Sequence, residues 1–359
     1  MTPMVSASID IAALKHNLAV IRRMAPRSRV MAVIKANAYG HGLVVAARAL
    51  ESADAFAVAR VDEGLVLRAA GITNRTVLLE GVFDADQLAA AAAASFDLVV
   101  HTEEQVELLR QAPAGASFQV WLKLDTGMNR LGFKGPAFQA AHATLSALPA
   151  VRLPVNLFTH LAAADDPQLP TTPEQLTRFQ SATATFGGER SIANSAGMLS
   201  FAEARADWVR PGLLLYGASP YPGAIGADHG LKPAMTLNSH LIAVKQLEPG
   251  ERVGYGGDWI AQRPTVLAVA AVGYGDGYPR SLASGSPVLV NGERAPLAGR
   301  VSMDMIGIDV TDLTRAPKLG DPVTLWGEGL PVEEIAVWAD TIPYELLCGI
   351  SQRVAVTLR

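Results

Sequence analysis

Lys35 closes the apolar run Val30-Met31-Ala32-Val33-Ile34, where an ammonium is costly unless it finds a partner or becomes neutral. A lysine shifted in this way can form a Schiff base with a carbonyl cofactor; otherwise its stem reaches to solvent. Lys123 lies inside another apolar run, Phe118 to Asp125, where a nearby carboxylate such as Asp125 is its ordinary partner. His160 ends the run Val155 to Ala162, as a neutral core imidazole or as a proton carrier. Arg210 precedes Pro-Gly and is either a strand-end arginine paired with Asp207 or a fixed cation, because guanidinium does not give up its proton. Tyr255 stands in Gly-Tyr-Gly, Asn194-Ser195-Ala-Gly reads as a turn, and Met303-Asp304-Met305 reads as half-buried strand with methionine as filler.

The chain that must position these groups has 359 residues, enough for about two domains or one large barrel with an appendage. With 30 basic against 34 acidic side chains and a net charge of −4, it offers no basic nucleic-acid surface. Hydrophobic residues at 50% and charged residues at 18% exclude a disordered chain. A single cysteine, Cys348, forms no internal disulfide and fits a reducing compartment. Neither a leader-like start nor an apolar stretch of about 18 residues is present, so a cytoplasmic protein without membrane contact is expected.

Eight short apolar runs alternate with amphipathic stretches over the first 230 residues: Val30 to Ala36, Ala55 to Arg60, Thr76 to Val82, Phe96 to His101, Phe118 to Asp125, Val155 to Ala162, Ser191 to Ala196, and Val209 to Gly217. Helices are expected at His41 to Glu51, Thr102 to Arg110 with a Thr102–Gln105 capping box, Pro136 to Leu148 and Pro173 to Phe186. The alanine tract Leu88 to Ala94 also reads as helix. This is the pattern of a (β/α)8 barrel over residues 1–230, with its site at the C-terminal strand ends; a doubly wound sheet is the alternative. After Leu231 the texture changes to alternation and tight turns: Ala234 to Leu247, Thr265 to Gly273, Pro287 to Leu297 around Asn291-Gly292, Val301 to Val310, Pro322 to Trp326, and Arg353 to Leu358. A mainly β C-terminal domain over 231–359 is expected, with one helix near Val332 to Ala339.

The segment Val33-Ile-Lys35-Ala-Asn37-Ala-Tyr39-Gly-His41-Gly closely resembles the pyridoxal-phosphate attachment motif of alanine racemases. The resemblance continues through Leu122-Lys123-Leu-Asp125-Thr-Gly127-Met-Asn-Arg130, Thr159-His160, Ala193-Asn194-Ser195, Arg210-Pro-Gly212 to Tyr216-Gly, Val253-Gly-Tyr255-Gly, Gly273-Tyr274-Gly-Asp276-Gly and Arg300-Val-Ser-Met303-Asp304, in the family's order. It implies a barrel followed by a β domain, working as a homodimer that racemises alanine, for D-alanine and peptidoglycan supply or for alanine catabolism.

By the same resemblance, Lys35 carries pyridoxal 5'-phosphate and is one of two bases, and Tyr255 of the partner subunit is the other. Reversing a stereocentre needs a proton removed on one face and returned on the other. Arg210 faces the pyridine nitrogen, and His160 links it to the tyrosine. Tyr39, Asn194, Ser195, Gly212 and Leu213 hold the phosphate. Arg130 binds the cofactor's phenolic oxygen and the substrate carboxylate, which the Met303 amide also holds. Lys123 is carbamylated, and Tyr274 and Asp304 line the entryway. No metal is implied. The chain departs from some relatives at Gln352, where they have a phosphate-binding tyrosine. A decarboxylase of the same barrel class typically lacks the Tyr255 and Arg210 blocks, and a non-catalytic carrier omits the β domain.

Overall fold

The computed structural model describes residues 3–359. Strand β1 (Ser6–Ile9) comes first, then β2 (Arg29–Val33), β3 (Ala55–Val58), β4 (Thr76–Leu78), β5 (Asp97–Val100), β6 (Phe118–Lys123), β7 (Val151–Phe158), β8 (Arg190–Ser191) and β9 (Trp208–Val209). β2 through β9 form a closed, all-parallel barrel, sealed by pairing of β2 with β9. All eight expected runs supply its strands. They read as near-continuous apolar sequence because the strands are buried on both faces; β3 and β5, for example, are buried at every residue.

Two of the helices between strands start where a short polar side chain satisfies a free amide group. Asp84 accepts from the Gln87 amide at 2.7 Å and starts the helix Ala85–Ala93, which takes up the alanine tract. Thr102 caps Glu103–Arg110 by accepting from the Gln105 amide. The expected box is only half formed, since the Gln105 carboxamide reaches one residue further back, to the His101 amide at 2.8 Å. At the end where strands begin, Trp121 and Trp208 meet edge to face, and their indole N–H groups donate to Asp97 and Glu189.

The remaining strands are β10 (Met235–Leu247), β11 (Arg252–Val253), β12 (Trp259–Ile260), β13 (Thr265–Ala270), β14 (Pro287–Val290), β15 (Glu293–Pro296), β16 (Ile306–Asp309), β17 (Pro322–Trp326) and β18 (Ala355–Leu358). The long β10 pairs with β1 and β17 in its first half and with β13 in its second. β14 and β15 form the hairpin expected around Asn291-Gly292, both residues having positive φ. Helix Val332–Trp338 lies where expected.

The compact units do not divide at residue 230. One compact unit is Asn17–Leu215; the other combines the residues up to His16 with Tyr216–Arg359. The physical reason is β1, which lies between β10 and β18 in the C-terminal sheet and whose four residues are too short a run to announce which sheet they complete.

Helix Val61–Ala69 rests on Phe96 through Gly64, where an added Cβ would stand 2.6 Å from the ring's Cζ. Phe96 is wholly buried, with the Arg68 guanidinium 4.8 Å from its centroid, so the ring cannot yield. Gly64→Ala should therefore cost about 1–3 kcal/mol, seen as a lower urea midpoint with unchanged slope.

Candidate active site

Arg210 follows β9 and is the one buried arginine among the described residues, 3% exposed. A guanidinium can be buried only among acceptors, and these come from neighbouring strand ends. Its Nη1 donates to Ser191 Oγ at 2.7 Å, and its Nη2 to the Thr159 carbonyl at 2.7 Å, the Ile192 carbonyl at 3.0 Å and His160 Nδ1 at 3.1 Å. The guanidinium also covers the Phe158 ring, 3.9 Å from its centroid. Burial pushes its pKa down to about 9, which leaves it charged at neutral pH. The alternative pairing with Asp207 is not made, because that carboxylate accepts from the Arg190 amide.

Guanidinium has no acceptor, so His160 Nδ1 must accept and the neutral ring carries its proton on Nε2. Burial first, then the cations Arg210, Lys123, Arg130 and Lys35, hold His160 well below the usual histidine range.

Closure of the barrel brings Lys35 to the same end. The Val33 amide donates to the Pro211 carbonyl at 3.0 Å, so residues far apart in sequence flank one seam. Lys35 opens an unusual turn in which Ala36, Asn37, Ala38 and Tyr39 all have φ between 51° and 54°. Left-handed backbone costs L-residues roughly 1–2 kcal/mol each, so the turn needs restraint. Glu63 accepts from the amides of Ala36 and Ala59 at 2.6 and 2.7 Å, Asn37 Oδ1 from that of Leu43 at 2.8 Å, and His41 Nδ1 donates to the Tyr39 carbonyl at 2.9 Å. The Lys35 ammonium has no hydrogen-bond acceptor among the described residues.

Lys123, at the end of β6, is 6% exposed, and its Nζ lies 5.9 Å from the Phe158 centroid. Among the described residues it has no hydrogen-bond acceptor. Burial first, then Arg210 and Arg130, bring its pKa down to about 8 despite the opposing influence of Asp125. The pairing with Asp125 does not form. That carboxylate accepts from the Gly127 and Asn129 amides, both at 3.0 Å, and pairs with Lys134 at 3.4 Å. Arg130 is exposed and makes no hydrogen bond or ion pair among the described residues.

In the turn after β8, Asn194 Oδ1 accepts from the Gly197 amide at 2.8 Å, and Ser195 Oγ fastens it to the turn after β9 by accepting from the Gly212 amide at 3.0 Å. Leu213 is fully buried, so only its backbone can face a ligand. A Cβ on Gly212 would lie 2.5 Å from the Tyr39 hydroxyl, so glycine is what lets that phenol approach the turn. Lys35, Lys123, Arg130 and Arg210 concentrate positive charge at this end, and the nearby carboxylates Glu63 and Asp125 are committed to backbone amides. The arrangement suits an anionic ligand whose carbonyl an amine can reach.

In the other unit, Tyr255 is 69% exposed between Gly254 and Gly256, both with positive φ. Arg300 pairs with Asp258 beside this turn. The Tyr274 amide donates to Ser302, and the Gly275 amide to Met303, clasping two loops. Arg353 pairs with Asp304 at 2.7 Å and Asp276 at 3.3 Å, tying the chain end to both. Met303 and Tyr274 are exposed, as is Gln352.

Residues 9–220 match the model of the alanine racemase N-terminal domain, and residues 234–358 that of the C-terminal domain. The chain belongs to the alanine racemase family. An alanine racemase of Aeromonas hydrophila is 50% identical over 348 residues, 97% of each chain. The biosynthetic alanine racemase of Pseudomonas aeruginosa superposes with a TM-score of 0.96 at 45% identity, covering both chains completely. The alanine racemase of Bartonella henselae, solved with covalently bound pyridoxal phosphate, gives 0.88 at 29% identity over 99% of each chain.

Within this alanine racemase family member, sequence reasoning missed the supports. Glu63 and Arg353 sit in ordinary polar surroundings in sequence, and only the Gly-His-Gly context of His41 hinted at a role. No helix among the described residues is long and apolar enough to cross a membrane.

Burial lowers the His41 pKa to about 4, against the opposing hydrogen bonds to Tyr39 and Ala38. Because the folded value lies below the ordinary 6.5, the unfolded chain takes up a proton that the folded chain refuses. The penalty is absent above 6.5 and grows as pH falls toward 4, by about 1.4 kcal/mol per unit, with His160 adding the same sign. Thermal unfolding should show the midpoint dropping below pH 6.5; a flat profile down to pH 5 contradicts this.

Proposed function

We propose that this protein interconverts L- and D-alanine with pyridoxal 5'-phosphate at the open end of the barrel. It works as a homodimer in which the partner's β unit completes each site. One observation carries the reading: barrel closure sets the amine of Lys35 and the buried guanidinium of Arg210, charged at neutral pH, on either side of one seam. The full-length likeness to alanine racemases supports it.

The residues fit the cofactor. Among the described residues Lys35 has an amine not engaged with any acceptor, Arg210 has an Nε–H left over after its four acceptors are served, and bare Gly212 leaves room beneath the Tyr39 hydroxyl. Tyr39, Asn194, Ser195 and the backbone of Gly212 and Leu213 would hold the phosphate. When bound, the group supplies an electron-withdrawing ring that acidifies the α-carbon of an attached amino acid. Arg210 would face the ring nitrogen and, having no acceptor, leave it unprotonated, which limits the charge drawn into the ring.

Lys35 Nζ serves as base on the face bearing the α-hydrogen of D-alanine, and Tyr255 Oη of the partner subunit on the opposite face. His160, its Nδ1 committed to Arg210, has its Nε2–H available to stabilise a phenolate. Arg130 binds the substrate carboxylate with its guanidinium fork, helped by the Met303 amide. Tyr274 and Asp304 narrow the entrance. Lys123 carries CO₂ as a carbamate, since a bare ammonium there has no acceptor and three cations around it, Arg210, Arg130 and Lys35. The setting is the cytoplasm, supplying D-alanine for peptidoglycan or serving alanine catabolism.

The loaded protein should exchange the α-hydrogen of both alanine enantiomers in D₂O and equilibrate them. Release of CO₂ with an unchanged enantiomer ratio would indicate a decarboxylase, and bound cofactor without exchange a carrier. Tyr255→Phe should slow exchange from L-alanine by about 10²- to 10⁴-fold, with a smaller loss from D-alanine; equal modest losses would overturn the assignment of one base per face. Gly212→Ala should weaken cofactor binding roughly 10-fold or more through the clash with Tyr39, read by absorbance titration of cofactor-free protein.

A further inference from the structure

His101 is a buried histidine that the mechanism above does not use. It follows β5, and the parallel register of β5 with β6 pairs Leu98 with Val120, Val99 with Trp121 and Val100 with Leu122. Continued by one residue, that register sets His101 beside Lys123. Alternation puts both side chains toward the barrel interior, because Asp97 and Trp121, four and two residues earlier on the same faces, meet there through the indole N–H at 3.2 Å.

The imidazole is held from one side only. Its Nε2 lies 3.0 Å from the Glu80 carbonyl, which can only accept, and 3.3 Å from the Gln105 carboxamide nitrogen; the shorter contact, to the carbonyl, assigns the proton to Nε2. The Gln105 carboxamide donates to the same carbonyl at 2.8 Å. Nδ1 is then a lone pair, completely shielded and without a partner, an arrangement that costs free energy unless a donor is supplied. Burial keeps the ring neutral, and Lys123 is among the charges that act on it. On the facing strand, Lys123 Nζ is a buried donor without an acceptor among the described residues.

We infer that His101 is a positioning residue for Lys123: its Nδ1 accepts the hydrogen bond of the Lys123 Nζ–H once the lysine is carbamylated, fixing the plane in which the carbamate oxygens face Arg130. The inference rests on the carbamylation proposed above. In that step the neutral amine's lone pair attacks the carbon of CO₂, a C=O electron pair moves to oxygen, and one amine proton leaves to solvent. A single N–H remains on a planar group. Its two oxygens are served by Arg130, and only its N–H needs an acceptor on the other side.

The experiment is ¹³C NMR of the cofactor-loaded protein in ¹³C-bicarbonate, titrated to half occupancy of the carbamate signal, with Lys123→Ala identifying the signal. Three variants separate positioning from structural support. His101→Phe removes both ring contacts, His101→Gln retains a donor toward Glu80, and His101→Asn places an acceptor where Nδ1 was. His101→Phe and His101→Gln should need about 3- to 10-fold more bicarbonate for half occupancy, the range of one hydrogen bond, while His101→Asn restores the wild-type midpoint. If His101→Gln restores it and His101→Asn does not, the histidine only supports Glu80 and the inference fails. It fails equally if all three variants titrate like wild type. Absence of a Lys123-dependent signal in the wild type would instead overturn the carbamylation itself.

Discussion

A guanidinium taken out of water must be met by acceptors, and this requirement at Arg210 organises the barrel end. The acceptors come from Thr159, His160, Ser191 and Ile192, at the ends of β7 and β8. The protonation state of His160 follows from the same contact, because a donor that never releases its proton obliges its neighbour to accept. A loosened barrel would leave the charge buried and unpaired, at a cost of several kcal/mol. Fold and electrostatics are therefore one constraint.

Strain is the second element of the design. Four successive left-handed residues, Ala36 to Tyr39, direct both Lys35 and Tyr39 from one short turn. Such backbone persists only where surrounding contacts over-determine it, and here Glu63, Asn37 and His41 do so. The refusal of His41 to protonate belongs to that role, since its ring is fully buried beside the turn it supports.

In the C-terminal unit, exposed chemistry rests on charged clasps. Tyr255 and Met303 stand on turns with little burial of their own, and the ion pairs Arg300–Asp258 and Arg353–Asp304 hold those turns in shape. Exposed pairs contribute little to stability singly. Their value here is geometric, in fixing exposed loop tips beyond the small core on which the flanking Val253 and Trp259 pack.

The eight barrel strands, the β texture after Leu231 and the hairpin at Asn291-Gly292 were legible in the sequence because local patterns record burial on two faces, burial on one face, and positive φ. The motifs around Lys35, Arg210 and Tyr255 were equally visible, since their residue types are unusual at strand ends and turns. Tertiary structure alone decided that β1 completes the C-terminal sheet, that Asp125 turns away from Lys123, and that Glu63, His101 and Arg353 matter. Pattern reports how a residue meets solvent. Which distant group it meets depends on closure of the barrel and on strand order, and those are set by contacts between residues that no sequence window contains.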